Sequence, residues 1–164
     1  MTRSIQLLAI DPQNDFCDVP ADWWPVHPTR GTTAPSLPVA GAHRHMQRLA
    51  HWVRTQAAHI DEITVTLDSH QRFDIAHPVF WQQADGQPVA PFTAISAQQV
   101  RSAEFVPREP LHLALALAYL DALESQGRHT LIVWPVHCEI GSWGHGLHAE
   151  LLDACAAWQM QRQR

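Results

Sequence analysis

The residues best suited to chemistry sit in three short segments. TLDSHQRFDIAHP holds Asp68, His70 and His77, and WPVHC holds His137. Asp68 and His70 are two residues apart, and in an extended chain such side chains point to one side. Both can face one centre, with His77 following in the same turn or loop. One carboxylate and up to three imidazoles make an N/O ligand set that suits a divalent metal ion: zinc, manganese or iron. Fewer than six protein ligands leave coordination positions for water or substrate. The third segment, IQLLAIDPQNDF, changes abruptly from apolar residues to Asp11. An acid where a strand finishes is a functional candidate, because ligands in open α/β sheets bind beyond the carboxyl ends of strands.

Those ends need strands behind them. Residues 5–10 form an apolar run bounded by turn residues, which predicts a buried strand of a parallel sheet. Residues 62–67, EITVTL, are rich in β-branched types and predict strand two. Residues 129–134, HTLIVW, predict strand three, so that His137 falls at the same sheet edge as Asp68. Between strands one and two, residues 17–38 carry five prolines and predict an irregular loop anchored by Trp23 and Trp24. Met46, Leu49, Ala50, Val53 and Ala57 then recur at helical steps across about 39–59. Residues 68–109 show little periodicity and predict a long loop with a short helix near 96–103. So long a loop is uncommon unless functional. Its 78–109 part could cover a site or form a subunit contact, or be a packed excursion held by Phe80, Trp81 and Phe92. Pro110 opens and Gly127 closes a Leu/Ala-rich segment that predicts a helix despite its alternation. Residues 147–160 predict the last helix. Strands alternating with helices imply an α/β fold with a parallel sheet and right-handed crossovers.

Composition narrows the classes. At 164 residues the chain suits a single domain with a real core, and 46% apolar residues argue against wholesale disorder. A net charge of −5 without a basic cluster argues against nucleic acid as a partner. No stretch approaches the roughly 20 apolar residues that cross a bilayer, and the N-terminus lacks signal-peptide features, so the cytoplasm is expected. GSWGHG contains no Lys and does not read as a phosphate loop. Three widely spaced cysteines, Cys17, Cys138 and Cys155, are no disulfide framework. Most of the 12 histidines fall on predicted helix or loop surface and are assigned nothing.

DPQNDF, TLDSH with FDIAHP, and WPVHC with GSWG follow one another in the order seen in the nicotinamidase branch of the isochorismatase-like cysteine hydrolases, which the chain resembles over about residues 5–150. The resemblance implies a three-layer α/β fold, a six-stranded parallel sheet with helices on both faces. It implies hydrolysis of a small amide, such as nicotinamide to nicotinic acid and ammonia, by a Cys–Asp–Lys triad. Asp11 corresponds to the triad acid, Asp68, His70, His77 and His137 to the metal ligands, and Phe16 and Trp134 to aromatics flanking the pyridine ring. A thiolate needs a nearby base or cation to form at neutral pH, and an apolar slot between aromatics selects a flat ring. The Asp and three His favour a nicotinamidase over an isochorismatase-type substrate.

The chain departs from that pattern in two ways. All 11 basic residues are Arg, and the family's Lys and nucleophilic Cys follow the WPVHC block at positions this sequence does not contain. Arg108 cannot exchange a proton as Lys does. Cys17 and Cys155 read as small buried hydrophobes, and Cys138 matches the family's non-nucleophilic Cys. The expectation is the first half of the domain, inactive alone. It is an N-terminal fragment, a non-catalytic metal- or ligand-binding remnant, or a subunit whose partner chain completes the site. Strand one would then be an exposed apolar edge that invites self-association.

Overall fold

A computed structural model describes residues 4–29 and 31–162. In chain order the strands are β1 (Gln6–Ala9), β2 (Val26–His27), β3 (Gly31–Thr32), β4 (Glu62–Val65), β5 (Trp81–Gln83), β6 (Thr93–Ile95), β7 (Phe105–Pro107) and β8 (Leu131–Val133). The helices are α1 (Ala42–Gln56), α2 (Ala97–Arg101), α3 (Leu113–Glu124) and α4 (Ala149–Arg162). The chain divides into two compact units, one of Met1–Ser69 with His137–Arg164 and one of His70–Val136. The architecture is α/β, and among the described residues no helix is long and apolar enough to cross a membrane.

In the first unit β1 and β4 pair in parallel, Leu7 opposite Ile63 and Ala9 opposite Val65. These four share one face and pack with Ala50 and Val53 of α1 and Leu151 and Ala154 of α4. The other face differs from the expectation of a strand buried on both sides. Leu8 is 57% exposed and Ile10 69%. An apolar run looks the same whether one face or two are covered, so the run alone does not separate these cases. The Asp18 carboxylate accepts the N–H groups of Gly41 (2.7 Å) and His43 (2.8 Å) at the start of α1. Those two bonds hold Asp18 below the usual carboxylate range. Trp23 and Trp24 are half-buried, as expected, and Trp23 lies against the rings of His43 and His148. At the far end of α4, Trp158 Nε1 donates to the Ile60 carbonyl at 3.1 Å.

In the second unit β5 pairs antiparallel with β7, and β6 antiparallel with β8. The core is built from Phe80, Trp81, Ile95, Val100, Leu120 and Val133. The predicted long loop therefore contains three strands besides the expected short helix α2. That helix opens on a capping box, with Ser96 Oγ accepting from Gln99 N–H and Gln99 Oε1 from Ser96 N–H. Phe80 and Trp81 anchor this stretch, as the packed-excursion alternative expects, whereas Phe92 is 60% exposed. Strand three forms as β8, but its partner is β6 rather than a parallel neighbour. The Leu/Ala segment is the helix α3, burying Ala116 and Leu120 four residues apart.

Candidate metal centre

The first unit gathers its candidates where β1 and β4 finish. Asp11 has φ +48°, a left-handed conformation that turns the chain out of the sheet, and Pro12 follows with no N–H to offer. The Thr66 hydroxyl, just past β4, donates to Asp11 Oδ1 at 2.6 Å and accepts the Asp11 N–H at 3.1 Å. This fixes the carboxylate's orientation at the strand end. Two residues on, Asp68 Oδ2 stands 3.1 Å from His137 Nε2, the imidazole being almost fully buried. Phe16 meets the His137 ring edge-on at 5.6 Å.

Asp11, Asp68 and His137 do not order themselves. Gln13, Asn14 and Asp15, all buried, tie the strand-one turn to the loop that carries His137. The Gln13 carboxamide accepts the Asp68 N–H (2.8 Å) and donates to the carbonyls of Asp68 (2.8 Å) and His145 (3.0 Å). Asn14 donates to the Trp143 carbonyl at 2.8 Å. Asp15 Oδ2 accepts the Cys138 N–H at 2.7 Å, the peptide immediately after His137. Cys138 itself has φ +45°. A non-glycine residue held there costs of order 1–3 kcal/mol and persists where its surroundings impose it.

Burial pushes the Cys138 thiol up to about 12, with the Asp15, Asp68 and Asp11 charges adding to the effect. Burial, with Asp18 adding, pushes Cys17 up to about 11. Burial raises Cys155 as well. At neutral pH all three are thiols, poor as nucleophiles.

The second unit carries His70 and His77, their ring centroids 4.8 Å apart. His77 is fully buried. Asp74 Oδ2 lies 3.0 Å from His70 Nδ1, and Asp74 Oδ1 accepts the Ala76 N–H at 2.9 Å. Burial would raise the Asp74 carboxyl, but the Ala76 N–H and His70 outweigh it and hold it below the usual range. A carboxylate behind an imidazole fixes the tautomer and makes the other nitrogen a better ligand. The Trp134 backbone N–H donates to the Ala76 carbonyl at 2.7 Å, and Phe92 lies edge-on to the indole ring at 5.8 Å.

Thus the candidates divide, Asp11, Phe16, Asp68 and His137 in the first unit, His70, His77 and Trp134 in the second. The chain crosses between units at Ser69/His70 and returns at Val136/His137, so His70 and His137 stand at the crossings in sequence and Asp68 one residue before the first. Sequence reasoning missed Gln13, Asn14 and Asp15, although they sit in the same polar run as Asp11. It also passed over Asp74, whose signal was its spacing of four from His70.

No family model matches the chain, and no curated protein does. Among solved structures it is similar to the yeast nicotinamidase Pnc1p, with 19% identity and a TM-score of 0.54, over 94% of this chain and 53% of that one. It is also similar to yeast Pnc1p bound to the inhibitor nicotinaldehyde, with 18% identity and a TM-score of 0.53, over the same shares. At such identity the likeness is one of fold. The chain spans about half the length of these structures.

Proposed function

We propose that the chain carries the acid and the metal-binding part of a nicotinamidase-like amide hydrolase whose substrate is a small amide such as nicotinamide. The observation that carries this reading is the Asp68–His137 pair, 3.1 Å apart where β4 runs out, with Asp11 oriented by Thr66 at the end of the adjacent β1. Asp68, His70, His77 and His137 would hold one divalent ion, zinc, manganese or iron. The donor set fits such an ion: one carboxylate, imidazoles that are buried or backed by a carboxylate, and no thiolate. When bound, the ion supplies positive charge that orients a heteroaromatic nitrogen.

The chain's own residues supply the rest. Asp11 is the group that would accept a thiol proton and return it to the leaving amine, with the Thr66 hydroxyl keeping one carboxylate oxygen in place. Phe16 beside His137 offers one wall for a flat ring, and Trp134 is the proposed second wall. The attack on the carboxamide carbon is assigned to no residue here, since the sequence holds no Lys and its thiols stay protonated.

That same observation favours a second reading, a non-catalytic metal- or ligand-binding module, or a subunit whose partner brings the nucleophile. Metal content after dialysis against zinc tests the shared core of both readings. The wild-type chain is expected to retain about one ion per chain, and the His70→Ala/His77→Ala double variant none. Metal retained by the double variant overturns the site. Ammonia release from nicotinamide separates the readings: none from the chain alone supports the module or subunit, and turnover blocked by a thiol alkylator supports a complete hydrolase.

A further inference from the structure

We infer that Gln13 is a positioning residue, whose carboxamide stands in for the main chain of β1 where that strand turns away and sets the backbone of the ligand Asp68; the inference rests on the metal reading above.

Backbone pairing between the two parallel strands ends early. The last bond is from Thr66 N–H to the Ala9 carbonyl, at 3.0 Å. Beyond it the left-handed Asp11 and then Pro12 carry the first strand away, so its main chain has nothing to offer Asp68. The Asp68 N–H and carbonyl are instead both taken by one side chain. Gln13 Oε1 accepts the N–H and Gln13 Nε2 donates to the carbonyl, each at 2.8 Å. A carboxamide presents the same donor and acceptor pair as a peptide group, so the clamp extends the ladder by one residue in side-chain form. The second Nε2 hydrogen reaches the His145 carbonyl at 3.0 Å, which spends both donors.

The clamp is itself anchored. Gln13 is fully buried, its own N–H donates to the Asp11 carbonyl at 2.8 Å, and it forms a bridge with Leu147. Next to it, Asn14 N–H donates to the Gly146 carbonyl at 2.9 Å. A rigid side chain that grips both polar groups of one peptide residue fixes where that residue's Cα–Cβ bond leaves the backbone. For Asp68 that bond carries the carboxylate standing 3.1 Å from His137. A carboxylate in the place of the carboxamide would keep the shape and lose both donors, setting oxygen against the Asp68 and His145 carbonyls.

The test is a Co(II) titration of the purified full chain, read by visible absorption, for the wild type, Gln13→Glu and Gln13→Met, with His137→Ala as the control without a site. Gln13→Glu is expected to weaken Co(II) binding about tenfold to a hundredfold and to shift the ligand-field bands. A purely structural role would lower the unfolding temperature of the metal-free variant and leave its Co(II) affinity and spectrum unmoved, and that result overturns the inference. Should both variants fail to fold, amide exchange in the wild type decides. The clamp expects Asp68 N–H to exchange at least about a hundredfold more slowly than an open loop amide, and exchange at the loop rate overturns it. A wild-type chain that binds no Co(II) refutes the metal reading instead. Slow Asp68 exchange in that case marks the clamp as a fold contact alone, so the two failures are told apart.

Discussion

Replacing Gly144 with Ala should be the most damaging one-methyl change in the first unit. Gly144 is buried against the Asp15 side chain, and a Cβ built on it would overlap both carboxylate oxygens and the carbon between them. The carboxylate cannot swing aside cheaply. Oδ1 accepts the Ser36 N–H at 3.0 Å and Oδ2 the Cys138 N–H at 2.7 Å, and Asp15 is 4% exposed. Hydrogen bonds to a charged group contribute about 1.5–3 kcal/mol each, so losing both costs about 3–6 kcal/mol. Set against a total stability of about 5–15 kcal/mol, that leaves the variant marginal or unfolded. Urea unfolding measures it, with Gly141→Ala as the reference. Gly141 lies in the same loop with φ +82° and open space around its Cβ position, so only backbone strain of about 1–2 kcal/mol is expected there. A second check uses the Asp15→Ala background, where the obstructing atoms are gone. There Gly144→Ala should cost far less, a coupling that a double-mutant cycle reads directly. Equal losses for Gly144→Ala and Gly141→Ala, or strict additivity with Asp15→Ala, would refute the reasoning.

Two further expectations follow from the same unit. Burial, with His43 adding, depresses His148 below its ordinary 6.5, and its Nε2 sits 2.8 Å from His43 Nδ1. As pH falls through 6.5 the unfolded chain takes up the proton first, so this contribution to stability is full above that value and is lost toward the lower folded-state value. Urea midpoints from about pH 7.5 to 5.5 should fall, and His148→Gln should flatten the slope; an unchanged slope in the variant rules out His148 as the cause. The second concerns association. Among the described residues β1 pairs only with β4, and Ile5, Leu8 and Ile10 are exposed. The chain alone should self-associate, with Leu8→Glu reducing it, whereas a sharp monomer by light scattering with cooperative unfolding would contradict this.

The fold was legible in the sequence where elements are long or strongly patterned. Helix α1 repeats its apolar residues at helical steps over four turns, and β4 is rich in β-branched residues. Helix α3 was legible from Leu/Ala propensity and its Pro and Gly flanks, against an alternation that mimics a strand. Strands β5, β6 and β7 were not. At three residues each they contain too few positions for a period of two to emerge from the prolines and glutamines around them. The antiparallel partnership of β8 with β6 was hidden for another reason. Pairing between segments 36 to 40 residues apart is decided by packing around Trp81, Ile95 and Leu120, and neither strand's own letters carry it.

The candidate site divides along a similar line. Asp11, Asp68 and His137 could be picked out because acids and imidazoles just past strands are rare enough to notice. Asp11 and Asp68 follow β1 and β4 directly, whereas His137 follows a strand of the other unit and its loop is tied in the first unit by the Cys138 N–H on Asp15. Gln13, Asn14 and Asp15 have the composition of an ordinary polar turn, and turns are expected on the surface. They are buried because the strand ahead of them bends away before its neighbour has finished pairing. Side chains then have to supply the donors and acceptors that the main chain withdrew, and a buried peptide group left without them would cost about 1–3 kcal/mol. Each of the three meets a main-chain group of another segment, Asp68, Trp143 or Cys138, so their types are fixed by partners remote in sequence. A polar run that follows an apolar strand can thus hold two kinds of residue, one facing the ligand and one replacing the ladder. Only the first kind announces itself by its chemistry; the second is recognised when the strand's turn and the loops it must satisfy are seen together.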